Sequence, residues 1–96
     1  MRHQGATVHE LARIAELAGL PGETLTRLAE RMERRDLAPG ERLDATDRFG
    51  VVIAGMLTAP HGVLRPGETF AVPVTAATPA TVATCPRADY DDLVGP

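Results

Sequence analysis

The side chains in this 96-residue chain whose types could do chemistry are three histidines, one cysteine and a run of carboxylates near the end. His3, His9 and His61 are scattered, and no His-X-His pair followed by a glutamate supplies a metal-ligand set. His61 sits in Pro60-His61-Gly62, which reads as a hairpin turn. Cys85 precedes Pro86 at a strand end without a histidine partner, the setting of a small core or boundary residue rather than a nucleophile. Asp89, Asp91 and Asp92 lie near the start of a short helix, where the helix dipole accounts for them without a bound cation. No glycine-rich phosphate loop is present. These residues predict no catalysis, no cofactor and no metal.

Charge narrows the partners. All ten basic residues are Arg, a usage that points to a GC-rich genome, and the net charge is −3. A phosphate-backbone binder needs a basic face to release counterions. The cluster Arg27, Arg31, Arg34 and Arg35 is interleaved with Glu23, Glu30 and Glu33, as in a solvated, salt-bridged helix face. Two Phe, one Tyr and no Trp leave little on which bases could stack. No nucleic-acid partner is expected. No apolar run approaches the ~20 residues of a membrane span and the N-terminus has no apolar signal segment. A lone cysteine forms no internal disulfide. These features predict a cytoplasmic protein with no membrane partner.

The elements that must position these groups follow from periodicity. A chain of this length buries roughly two-thirds of its unfolded surface, enough for one small aliphatic core. Thr7-Val8-His9-Glu10 fits a capping box, and Val8, Leu11, Ala12, Ala15 and Ala18 follow helical spacing, widened by Ile14 and Leu17, up to Gly19. Pro21 opens a second helix whose face is Leu25, Leu28, Ala29 and Met32, running to about Glu33, with Glu23–Arg27 and Glu30–Arg34 spaced for ion pairs. From Leu37 onward apolar residues fall in short runs separated by Pro-Gly, Ala-Gly and His-Gly, the pattern of a small antiparallel sheet. Pro39-Gly40-Glu41 and Pro66-Gly67-Glu68 predict two type II turns with positive φ at glycine. Thr81 to Cys85 has strand character, and Pro86 to Val94 reads as a short helix.

Leu17 to Pro21, the helix Leu25 to Met32, Leu37-Ala38-Pro39-Gly40-Glu41, Val52 to Leu57, Leu64 to Phe70, Ala80-Thr81-Val82 and Pro86 to Tyr90 together resemble the successive signposts of the cyclic-nucleotide-binding domain. The resemblance implies a mainly β, α+β fold: a small antiparallel β-roll, or jelly roll, preceded by two helices and followed by one. It divides the single domain 1–96 into a flexible tail (1–6), N-terminal helices (7–34), the β-roll (35–85) and a C-terminal helix (86–94).

In the family, Phe-Gly-Glu follows the proline-glycine turn, then a short helix, a spacer and Arg; Glu holds the ribose and Arg the cyclic phosphate. The resemblance places Phe70 at the phenylalanine, but Ala71 at the glycine, Val72 at the glutamate and Thr78 at the arginine. Pro73 and Pro79 oppose the short helix whose N-terminus would hold the phosphate. If the family pocket is still used, it is expected to be lined by Arg65, Gly67, Phe70, Ala71, Val72, Thr78, Ala80 and Thr81, with Arg65 the replacement cation. Val72 and Thr78 offer neither charge nor acceptor, so the reading is a domain that has lost cyclic nucleotide.

The expectation is therefore a non-catalytic regulatory or protein-interaction module. The residues after Val94 leave no room for a helix-turn-helix, so output would come through a protein partner or a homodimer. The expected contact surface is Ile14, Leu17, Val72 and Val74, and replacing Ile14 and Leu17 by Asp should break a complex without unfolding the barrel. The alternative is a small-molecule sensor that binds a nucleotide or other ligand in a more apolar β-roll pocket. An interior filled by Val and Leu would oppose it.

Overall fold

A computed structural model describes residues 8–95 of the protein. The proposed Thr7 cap and the tail before it lie outside the described residues. The elements run α1 (Val8–Ala12), α2 (Gly22–Arg31), β1 (Glu33–Leu37), β2 (Arg42–Leu43), β3 (Arg48–Ala54), β4 (Leu57–Ala59), β5 (Gly62–Leu64), β6 (Thr69–Phe70), β7 (Val74–Ala76), β8 (Ala80–Pro86) and α3 (Arg87–Val94).

The first helix is shorter than its pattern suggested. After Ala12 the chain continues in i→i+3 turns: Ile14 N–H donates to the Leu11 carbonyl, Leu17 to Ile14 and Leu20 to Leu17, at 2.9–3.0 Å. Leu11, Ile14, Leu17 and Leu20 are spaced by three residues, and a three-residue turn stacks i and i+3 on one side, whereas an α-helix would smear them around it. The apolar period is 3.0 rather than 3.6, and Leu11, Ile14 and Leu17 are buried.

α2 buries Leu25, Leu28 and Ala29. It stops at Arg31, two residues before the expected end, because Met32 is extended and Glu33 to Leu37 pair with β8. Glu33 and Arg34 are thus strand residues. Arg34 meets Glu10 at 2.8 Å instead of the Glu30 that helical spacing would have given it, while Arg27–Glu23 forms at 2.9 Å as expected. Arg31 pairs with Asp89 and Arg35 with Glu41, so all four clustered arginines sit in ion pairs.

Two antiparallel sheets follow, ordered β1-β8-β3-β6 and β2-β7-β4-β5. Alternation along the strands divides the core. Phe49, Val51, Ala83 and Cys85 face the helices, beside Leu11, Leu17 and Leu28. Val52, Val82, Leu57, Leu64, Phe70 and Val74 fill the space between the sheets. Gly50 lies under the Phe70 ring, where a Cβ would overlap it.

Both proline-glycine turns form as expected, with φ +85° at Gly40 and +96° at Gly67. Each glutamate closes its own turn: Glu41 Oε1 accepts the Ala38 N–H at 3.0 Å, and Glu68 Oε1 the Arg65 N–H at 2.7 Å. An acidic residue one step after Pro-Gly acts here as a local cap. α3 begins at Arg87, directly after Pro86, and lies against β3 and β8.

Candidate functional site

The stretch that the resemblance marks as ligand-binding begins at β6. Thr69 and Phe70 pair with Val51 and Gly50 of β3. Only residues 71–73 separate β6 from β7, and they form no helix. Ala71 is exposed, Val72 half-buried against the inter-sheet core, and Val74, the first residue of β7, is 1% exposed.

Phe70, Ala71 and Val72 line an open cleft of about 230 Å³ with Glu16, Phe49, His61, Thr69, Arg87 and Tyr90. Its lining mixes the polar side chains of Glu16, His61, Thr69 and Arg87 with the rings of Phe49, Phe70 and Tyr90. Thr69 Oγ1 donates to Glu16 Oε1 at 2.7 Å. Arg87 Nε donates to Asp91 Oδ1 at 3.2 Å while its guanidinium lies 5.5 Å from the Tyr90 ring centre. Burial, with the Glu16 carboxylate next in importance, raises the Tyr90 phenol above its ordinary range. The cation of this cleft is therefore already engaged by a carboxylate and a ring. Sequence reasoning missed Glu16, Arg87 and Tyr90, which come from segments distant from β6, with no local motif to mark them.

The remaining residues of the expected pocket are dispersed. Thr78 belongs to the β7–β8 bend, where its Oγ1 accepts the Met56 N–H and donates to the Pro79 carbonyl, both at 3.0 Å. Ala80 is buried between the sheets, and Thr81 donates to Asp36 Oδ1 at 2.8 Å across β8 and β1. Gly67 lines a separate cavity of about 240 Å³ with Glu10, Arg13 and Ile14. Arg65 is exposed beside its turn and lines neither cavity.

The expected contact surface needs correction. Ile14 is 2% exposed, Leu17 is 0% and Val74 is 1%. The first two are held inward by the three-residue turns, the third by its place on the inner face of β7. Val72 alone of that set reaches the surface, and only in part.

Cys85 is fully buried, and burial pushes its thiol up to about 11, which removes the thiolate that nucleophilic chemistry requires. Among the described residues no group of three His, Cys, Asp or Glu side chains could hold a metal ion. Among them, too, no helix is long and apolar enough to cross a membrane.

No protein-family model matches the chain, and no curated protein matches it in sequence. Solved structures do match it in shape. A regulatory subunit of a cAMP-independent protein kinase A from Trypanosoma cruzi, bound to guanosine, aligns with a TM-score of 0.78 and 18% identity over 93% of this chain and 40% of that one. A cyclic nucleotide-binding-like protein from Brucella abortus aligns at 0.68 and 16%, over 93% of this chain and 97% of the other. A putative cyclic nucleotide binding protein from Ruegeria pomeroyi aligns at 0.72 and 21%, covering 91% and 50%. The chain spans less than half the length of the kinase subunit. Identities of this order speak for architecture, and the architecture of this protein is that of a cyclic-nucleotide-binding domain.

Proposed function

We propose that this protein is a non-catalytic regulatory or protein-interaction module on a cyclic-nucleotide-binding scaffold that no longer binds cyclic nucleotide. The observation that carries the reading is the three-residue link between β6 and β7. It holds no helix whose N-terminus could take a phosphate and no residue with a charge: Ala71, Val72 and Pro73. A phosphate there would lose its hydration without a cation or an amide cluster to offset the cost. Arg65, the replacement suggested by the sequence, stands outside the cleft, and Arg87, the cation that lines it, is held by Asp91 and lies over the Tyr90 ring.

The interior between the sheets is filled by Leu and Val side chains, which argues against a small-molecule sensor binding inside the roll. A protein partner remains as the route of output, in the cytoplasm. Calorimetric titration with cyclic AMP and cyclic GMP, backed by thermal shift, tests the reading. The expected result is no heat and no shift up to millimolar ligand. Micromolar binding, with about 2.7 kcal/mol of added stability at a hundredfold excess over Kd, would return the protein to the nucleotide sensors.

A further inference from the structure

The two sheets present four edge strands, β1, β6, β2 and β5, and an open edge invites another strand. Three are guarded. β1 carries Glu33, Arg34, Arg35 and Asp36, all exposed. β2 is two residues long and begins with Arg42. β6 runs beside Glu16, which takes the Thr69 hydroxyl. β5, Gly62-Val63-Leu64, has no charged residue, and its Val63 is 49% exposed, the large hydrophobic side chain left to solvent among the described residues.

The hydrogen-bond pattern shows that this edge is open in its backbone as well. Ala76 of β7 turns both backbone groups toward the β2 side: its N–H donates to the Glu41 carbonyl at 2.9 Å and its C=O accepts the Gly40 N–H at 2.7 Å. Backbone groups alternate sides along an antiparallel strand. Thr75 therefore faces β4, its partner Thr58 faces β7, and Leu57 and Ala59 face β5. Their partners there are Leu64 and Gly62. Val63, lying between these two, directs its N–H and C=O outward.

Charge selects the occupant. His61 and Arg65, two residues to either side of Val63, are exposed, and neither side chain meets a carboxylate among the described residues. The carboxylate of Glu68 is turned to the Arg65 amide. A second copy pairing antiparallel about Val63 would bring Arg65 to His61 at both ends and offer neither guanidinium a carboxylate, which disfavours a homodimer by this edge. An incoming strand with an acid to pair with the Arg65 guanidinium, a second acid to accept a hydrogen bond from the His61 ring and an aliphatic residue opposite Val63 would satisfy all three.

We propose that the β5 edge is a docking site for an extended segment of another protein with the pattern acid-x-aliphatic-x-acid, added antiparallel as a fifth strand and hydrogen-bonded to Val63. This names the partner class of the interaction-module reading, on which it rests. Pro60 and Pro66 bracket the edge and limit the ladder to this short register, so recognition depends on the flanking side chains, the Arg65 charge first.

The test is an amide-resolved NMR titration of the whole chain with two capped peptides, Ser-Glu-Thr-Val-Thr-Glu-Ser and Ser-Lys-Thr-Val-Thr-Lys-Ser. The acidic peptide is expected to shift the amides of β5 and to bind at least ~10-fold more tightly than the basic one, about 1.4 kcal/mol. Arg65→Glu, an exposed substitution that leaves the fold in place, should reverse that order, and Val63→Pro, which removes the outward N–H, should abolish binding. Equal affinity for the two peptides, absence of binding at millimolar concentration, shifts confined to other strands, or an order unchanged by Arg65→Glu would each overturn the proposal. Cyclic-nucleotide titration is independent of all these outcomes, so failure of the edge and failure of the module reading are separable.

Discussion

The ring of Tyr90 lies on that of Phe49, with centroids 3.8 Å apart and 19° between the planes. The contact ties α3 to β3, and both residues also wall the cleft beside β6. In a chain with two Phe and one Tyr, this pair is the main aromatic contact between the helical layer and the sheets.

Tyr90→Ala should therefore loosen α3. Tyr90 is half-buried, so the expected loss is about 2 kcal/mol, from lost contact area and the stacked pair together. Tyr90→Phe keeps the ring and is expected to cost under ~0.5 kcal/mol. Urea denaturation of the two variants checks the difference; equal losses would place the energy in the hydroxyl instead.

Leu17→Asp is expected to unfold the protein rather than expose a binding defect. Leu17 is fully buried among Leu, Ile and Val side chains, and a carboxylate placed there has no partner. The cost should exceed ~3 kcal/mol, a large share of the stability of a domain this size. Thermal circular dichroism reads it directly, and a cooperative transition at the wild-type temperature would contradict the burial described above.

Cys85 predicts a pH dependence. Its folded pKa, pushed to about 11 mainly by burial, lies above the 9.0 of an exposed thiol, so the folded state holds its proton more tightly. The associated stability is fully present below pH 9 and falls as pH rises toward 11, by about 2–3 kcal/mol in all. Denaturation curves of the wild type and Cys85→Ala, taken from pH 8 to 11, isolate this contribution because Tyr90 and the arginines are common to both. Parallel pH profiles would sink it.

Much of the scaffold was legible along the chain because local chemistry dictates it. Pro-Gly-Glu demands a turn with positive φ at glycine, and both copies form it. The i, i+3, i+4, i+7 face of Leu25 to Met32 is satisfied by one helix against one core. The N-terminal segment was misread because Leu11, Ile14, Leu17 and Leu20 fit a period of either 3.0 or 3.6 over so few residues, and packing chose between them. The site was less legible still. Arg87 and Tyr90 line one cleft with Phe70 and Val72, a proximity that no spacing along the chain records.

The sequence by itself determined the order of helices and strands, the two capped turns, and the absence of a charged residue between Phe70 and Val74, since each is a property of neighbours in the chain. Only the tertiary structure decided that Ile14, Leu17 and Val74 are core, that Arg34 answers Glu10 rather than Glu30, and that Val63 stands on an unpaired edge. Burial, ion pairing and edge position depend on which distant strand or turn arrives alongside, and that is set by the packing of the whole chain.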